Sequence, residues 1–502
     1  MTFAPVSGPA PPTSTYVGQV STLATDDLVP IPASDQTWLH MDRPNNLMYV
    51  RSMLWFEEAP ALEDVHQLLE ERLIGKHPVF RRRAVEIEGR WYWQDDEDFD
   101  IGRHVSTSRL DGDEDELRAW IGKQFAQPLD GDHPLWSIEF LSGVEGYGTV
   151  MFCRFHHALA DGIRLTQLMF NLCDPADGSA VLPVPVGREH RRPGLLSTGV
   201  TVARRGLGDA GNLVAGTLRA PLRIAMSLNP RLVRDGIGLI RRPLRVFDLI
   251  EGLTDQDNQS INTIAEVSRM LAAPPSARTA WSGVPGVEKK VSWVRGLDLQ
   301  TIKALALEHD GTVNDVLLAL VSQAMTRYLA EKDALVEEIS WLVPVSLLPF
   351  DANLPEELGN HFSLVFLPMP LGLESTRHAV AEMRARMFRI KHSIEPAITF
   401  GVQLAIAQSP KALAFQLTNL FANKGVGVLT NVPGPRELMT FAGVPVSGTL
   451  GWVPTSGNQP LGVCIFSYNG SVNIGIAGDA GLVPDPDTIA DHIDDEFERM
   501  SP

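Results

Sequence analysis

Apolar residues recur along this chain at the periods of helices and strands, and the two periods alternate. Residues 1–30 are the exception: rich in Pro, Ser and Thr and without periodic apolar spacing, they read as a disordered tail. Order is expected to begin with SDQTWLHMDRPNNLMYV, where Ser34 or Asp35 can cap a short helix carrying Trp38 and Leu39. Met48, Val50 and the run Met53 to Phe56 predict a first strand. Leu62, Val65, Leu69 and Leu73 share one helical face. FRRRAVEIEGRWYWQ reads as a hairpin with Trp91 and Trp93 on one side, and Leu117 to Phe125 as a helix. Pro134 precedes a strand in which Trp136 alternates with Ile138 and Phe140. A further strand holds Val150, Met151, Phe152 and Phe155. Leu165, Leu168, Met169 and Leu172 then follow at i, i+3, i+4 and i+7, a helix face.

Pro183, Pro185 and Pro193 interrupt this pattern and open a crossover at 186–284. Periodicity returns in the second half, 285–502, with a strand at Lys290 to Val294 and a helix from Leu299 to Leu307. After a turn at Asp310-Gly311 comes a strongly apolar helix bearing Val316, Leu317, Leu320, Met325 and Leu329. A strand at Ser340 to Pro344, the stretch LGNHFSLVFLPMPL, a basic helix from Arg377 to Ile394, glycine-punctuated strands and an acidic helix from Pro486 to Met500 complete the reading. Length changes the picture only by dividing it: 502 residues with 44% apolar content suit two cores, one at 31–185 and one at 285–502.

Charge excludes one class of function and suggests a surface. A net charge of −18 disfavours nucleic acid as a partner. Within Arg188 to Arg245, however, twelve arginines face only Glu189, Asp209 and Asp235, a local +9 that leaves −27 elsewhere. Interleaved apolar residues (Leu218, Leu222, Ile224, Leu232, Ile237) make this crossover a candidate for an anionic membrane or lipid-droplet surface, with a linker packed on the body as the alternative. No apolar run reaches about 18 residues and no secretory signal opens the chain. Cys153, Cys173 and Cys464 show no metal-ligand spacing, which fits a reducing, cytoplasmic setting and predicts no metal site.

The candidate chemistry sits in HHALADG, His156 to Gly162, on the predicted strand-to-helix turn. A histidine there is mostly neutral at pH 7, given an ordinary pKa of about 6.5, and can take the proton of an attacking alcohol. Such help is worth about 10²–10⁴ in rate. Adjacent residues of an extended chain point to opposite faces, so His157 is assigned as the base and His156 a supporting or packing role. Asp161 can cap the helix or pair with an arginine, and Gly162 can allow a tight turn or a close approach. Cys153 lies nearby but reads as a buried bystander.

HH-x-x-x-DG resembles the active-site signature of coenzyme-A-dependent acyltransferases. Further segments resemble the wax ester synthase/diacylglycerol acyltransferase family in particular: the opening SDQTWLHMDRPNNLMYV, PLW at Pro134, Leu135 and Trp136, and NDVLLA with Asn314 and Asp315. LGNHFSLVFLP at Leu358 to Pro368, TNVPGP at Thr430 to Pro435 and LVPDPDTIADHI complete the series, in the family's order. The resemblance implies an α/β fold of the α+β type, with two chloramphenicol-acetyltransferase-like domains, each a mixed sheet with flanking helices, around a central channel. It implies long-chain acyl transfer from acyl-coenzyme A, a co-substrate rather than a cofactor, to diacylglycerol or a long-chain alcohol, without a covalent intermediate. Esterification of a polyketide or complex-lipid hydroxyl, or a non-catalytic lipid-surface protein, are the alternatives. Catalytic roles would fall to His157, His156, Asp161 and Gly162; Pro134, Leu135, Trp136, Asn314 and Asp315 would bind substrate or support structure. The chain departs from the family at Leu348-Pro349, where relatives carry an arginine that would brace Asp161, and at Trp281-Ser282-Gly283.

Overall fold

The computed structural model describes residues 28–178, 277–346, 354–391 and 411–501, with isolated positions between 396 and 407. The first half runs β1 (Leu28–Pro30), α1 (Ala33–Met41), β2 (Tyr49–Phe56), α2 (Leu62–Leu69), β3 (Arg82–Ile87), β4 (Arg90–Asp95), α3 (Ile101–His104), β5 (Val105–Gly112), α4 (Glu114–Phe125), β6 (Trp136–Val144), β7 (Gly148–His156), α5 (Gly162–Asn171) and β8 (Cys173–Pro175). The second continues with β9 (Lys289–Asp298), α6 (Leu299–Glu308), α7 (Val313–Glu331), β10 (Glu338–Ser346), β11 (Phe362–Pro370), α8 (Thr376–Lys391), α9 (Lys411–Ala422) and β12 (Gly427–Pro433). It ends with β13 (Met439–Phe441), β14 (Val444–Pro445), β15 (Gly448–Trp452), β16 (Leu461–Tyr468), β17 (Ser471–Asp479) and α10 (Pro486–Met500).

Local chemistry explains the boundaries. Asp113 accepts the amides of Asp115 and Glu116 while Glu116 bonds back to Asp113, a reciprocal cap that starts α4. Thr312 and Asp315 do the same for α7. Asn469 and Gly470, at φ 44° and 81°, form the left-handed pair that turns β16 into β17.

Each half builds a mixed sheet, as the fold class expected. In the first, the order β15-β2-β7-β6-β5 combines antiparallel pairs with a parallel β5–β6 pair. In the second, the order is β11-β10-β12-β16-β17-β9, with β12 parallel to both neighbours. The halves exchange elements. β15, from late in the chain, pairs with β2 in the register Leu450↔Met53, and β13 pairs with β8. Each sheet has its own core, one around Phe80, Trp136 and Phe155 and one around Met325, Trp341 and Val365. A third cluster packs Met53 and Phe152 against Trp293 and Trp452. Burial of this kind contributes about 25 cal/mol per Å² of apolar surface, and it holds both halves in one compact unit.

Several expectations shift. Leu28–Pro30, inside the stretch read as tail, pairs with β4 as a strand; the rest of the tail and residues 186–276 of the crossover lie outside the described residues. Neither Ser34 nor Asp35 caps α1, which starts after Pro32 and takes both into its first turn. The helix expected over Leu62 to Leu73 ends at Leu69 and widens into a π turn at Glu70–Ile74; it still buries Val65, Leu69 and Leu73, while Leu62 is exposed. α9 forms where no element was expected from the sequence.

Candidate active site

β7 ends at His156, and α5 starts after Asp161, so HHALA forms the turn between them. The first histidine has both ring nitrogens engaged. Its Nδ1 accepts the Ala158 amide at 2.9 Å, which puts the ring proton on Nε2, 3.2 Å from Asp42 Oδ2. Asp42 in turn accepts the Met48 amide at 2.6 Å, and the Met48 carbonyl accepts the His157 amide at 2.8 Å. His156 thus braces the turn, with both ring nitrogens engaged and no free lone pair for a substrate.

His157 faces the other way, onto the second half of the molecule. Its Nδ1 lies 2.9 Å from Oδ1 of Asn360. The Asn360 amide is oriented by its other end, where Nδ2 donates to Asp35 Oδ1 and to the His157 carbonyl, each at 2.9 Å. Both of those are acceptors, so the atom facing His157 is the amide oxygen and the imidazole proton resides on Nδ1. Nε2 therefore carries the lone pair. It has no hydrogen-bond partner among the described residues. Trp38 stacks on the ring, with centroids 3.8 Å apart and planes 14° apart, and Phe362 lies 5.7 Å away. Burial among these groups pushes the imidazole down to about 4, which keeps it neutral at physiological pH.

Asp161 caps α5 by accepting the Arg164 amide at 2.8 Å, the first of its two expected roles. Its second oxygen accepts the His361 amide at 2.9 Å, and its own amide donates to the Gly359 carbonyl at 3.2 Å. Among the described residues no arginine side chain pairs with it; the Leu348-Pro349 position lies outside them. Gly359 reaches this geometry with φ 59°, a left-handed conformation that favours glycine. The motif aspartate thereby splices LGNH onto the histidine turn, and Ala160 and Gly359 form a parallel bridge beside it.

Other expected residues take supporting places. Gly162 has an ordinary φ and a Cβ there would meet nothing within 4 Å, so neither a tight turn nor a close approach requires glycine. Leu135 and Trp136 are fully buried with Pro134 beside them; the Leu135 carbonyl accepts the His156 amide, and Trp136 Nε1 donates to the Phe80 carbonyl. Asp315 is spent on the cap of α7, and Asn314 accepts from Asn431 of the TNVPGP stretch at 3.0 Å. Cys153 is buried, with its thiol pushed up to about 12 by desolvation, as suits a bystander.

Asp35, Trp38, Asp42 and Asn360 surround the histidine pair, although the sequence marks Asp35 only as a cap, Trp38 only as an apolar helix position, and Asp42 and Asn360 not at all as candidate site residues. A signal existed for three of them: 35, 38 and 42 stand at i, i+3 and i+7 in and just beyond α1, one face turned to the histidine pair.

Known proteins resemble this chain over most of its length. The wax ester synthase/diacylglycerol acyltransferase catalytic domain matches residues 31–317, and the corresponding C-terminal domain matches residues 358–501. A putative diacylglycerol O-acyltransferase of Mycobacterium tuberculosis is 25% identical over 488 residues, covering 93% of this chain and 89% of the relative. The O-acyltransferase WSD of Acinetobacter baylyi is 23% identical, covering 93% and 96%. Among solved structures, the wax ester synthase/diacylglycerol acyltransferase from Marinobacter aquaeolei VT8 superposes with a TM-score of 0.62 at 18% identity, over 94% of this chain and 98% of that one. The first condensation domain of the calcium-dependent antibiotic synthetase gives 0.54 at 15% identity, over 94% of each.

Proposed function

This chain belongs to the wax ester synthase/diacylglycerol acyltransferase family, and from that premise we propose an O-acyltransferase that moves a long-chain acyl group from acyl-coenzyme A to diacylglycerol, a long-chain alcohol or both, with His157 as its general base. The observation that carries the assignment is the tautomer of His157, with the proton held on Nδ1 by Asn360 and the lone pair of Nε2 without a partner among the described residues.

In this reading Nε2 takes the hydroxyl proton as the acceptor oxygen attacks the thioester carbon. The tetrahedral adduct collapses, the C–S bond breaks, and the proton passes from Nε2 to the departing thiolate. Nδ1–H stays in place throughout. No side chain is acylated, in keeping with a buried, protonated Cys153. Trp38 and Phe362 flank the ring and supply apolar walls suited to lipid substrates.

Incubation with radiolabelled acyl-coenzyme A and, separately, diacylglycerol, hexadecanol or no acceptor tests the substrate class. Labelled triacylglycerol or wax ester above the no-acceptor blank is expected, and turnover with neither alcohol overturns it.

The second part of the proposal is peripheral attachment to an anionic membrane or lipid-droplet surface through the arginines between 188 and 245, supported by their excess and apolar interleaving. No described helix is long and apolar enough to cross a membrane. Equal sedimentation of the wild type and a charge-reversed variant with anionic vesicles would refute attachment by this segment.

A further inference from the structure

We propose that Asp35 is a positioning residue for this reaction, its carboxylate holding the amide of Asn360 in the orientation that keeps the His157 proton on Nδ1. The proposal rests on His157 being the base, and adds what selects its tautomer.

An asparagine amide can be turned end for end at almost no cost in shape, so its neighbours decide which atom points where. As it stands, Oδ1 meets the N–H of His157, and Nδ2 meets the Asp35 carboxylate and the His157 carbonyl. Turned over, the amide oxygen would face those two acceptors, and its NH₂ would face His157 Nδ1. The imidazole would then carry its proton on Nε2, where the substrate hydroxyl must be deprotonated. The stacked Trp38 fixes the plane of the ring but contacts both tautomers alike. Selection therefore belongs to the hydrogen-bond chain, and the charged end of that chain is Asp35.

The carboxylate is committed to this task. Its Oδ1 accepts the Asn360 side chain at 2.9 Å, the Asn360 backbone amide at 3.1 Å and the Ser34 hydroxyl at 3.1 Å. It is only 3% exposed and has no cationic partner among the described residues. A buried carboxylate without a counter-charge is costly in itself. What it supplies is a strong double acceptor gripping both the main chain and the side chain of one asparagine, across 325 residues of sequence.

Asp35→Ala, Asp35→Asn and His157→Ala test this in the full-length chain, by steady-state kinetics and by ¹⁵N NMR of histidine-labelled protein, which reads whether Nε2 is protonated. Asp35→Ala is expected to lower kcat about 10–100-fold, the usual cost of removing a group that orients a histidine, with KM within about threefold because no substrate contact is lost. The His157 Nε2 signal should move toward the protonated position. Asp35→Asn keeps an acceptor at Oδ1, so it should hold the native tautomer and run several-fold faster than Asp35→Ala. Circular dichroism confirms folding; should Asp35→Ala lose its structure, Asp35→Ser replaces it with the same readouts. An unmoved His157 tautomer in the folded variant lacking the carboxylate overturns the proposal, as does an Asp35→Asn protein whose tautomer shifts equally. Failure of the underlying reading is seen separately, as turnover retained in His157→Ala whatever the NMR shows.

Discussion

His157 and Asn360, 203 positions apart in sequence, are joined by a 2.9 Å hydrogen bond between Nδ1 and Oδ1. That bond makes the proposed base, in the first half, dependent on a residue of the second. Removing the amide with Asn360→Ala strips His157 Nδ1 of its acceptor and Asp35 of its main donor, both in buried surroundings. A loss of about 10–100-fold in kcat is expected, together with destabilisation of about 1–3 kcal/mol from the unpaired groups. Kinetics and denaturant titration measure the two effects, and wild-type kcat in the folded variant would contradict the link.

The pH profile tests the burial of His157 as the proposed base. Because desolvation lowers the imidazole from 6.5 to about 4, its neutral, proton-accepting form persists well below neutrality. The acid limb of kcat/KM should therefore have its midpoint near about 4, in conditions where the fold survives. Asp35, which titrates within the same range, still accepts through one oxygen when protonated and leaves the tautomer in place. A midpoint at about 6.5, the ordinary value for histidine, would contradict a desolvated ring.

Asp35 also makes a stability prediction of definite sign. Burial raises its carboxyl from 3.8 to about 6, so between those values the folded protein binds more protons than the unfolded chain. Stability linked to this group is then full below pH 3.8 and lost as pH rises through about 6. At pH 8 the shift corresponds to about 3 kcal/mol of destabilisation, as an order of magnitude. Asp35→Asn, which is neutral and of the same shape, should melt higher than wild type at pH 8, with the gap closing as pH falls toward 4. A gap that is independent of pH, or a lower Tm at pH 8, would contradict it.

Much of this fold was legible because its elements are locally consistent: the strand and helix around HHALADG, the capped apolar helix now seen as Val313–Glu331, and the glycine-punctuated strands of the second sheet all follow from period and turn chemistry. The opposite facing of the two histidines was legible too, since alternation on an extended chain separates His156 from His157. What could not be read was long-range pairing. Periodicity shows that β15 is a strand, but not that it leaves its own half to pair with β2. Likewise the Asn of LGNH carries no local sign that it meets His157, and Asp35 looked like a cap because a carboxylate near a helix start usually is one. Gly162 was expected to allow a tight turn or a close approach, whereas its φ is ordinary and the space beside it is open. Asp161 was expected to cap its helix or pair with an arginine; it caps, a second backbone amide takes its other oxygen, and no arginine side chain pairs with it among the described residues.

The most direct test of the central claim is single-residue removal of the proposed base. His157→Ala, with its fold verified by circular dichroism and its expression matched to wild type, is assayed with labelled acyl-coenzyme A and whichever alcohol the wild-type enzyme accepts. If Nε2 of His157 takes the hydroxyl proton, ester formation falls by about 10²–10⁴ while the substrates still bind. Ester formation within about tenfold of wild type would contradict that assignment.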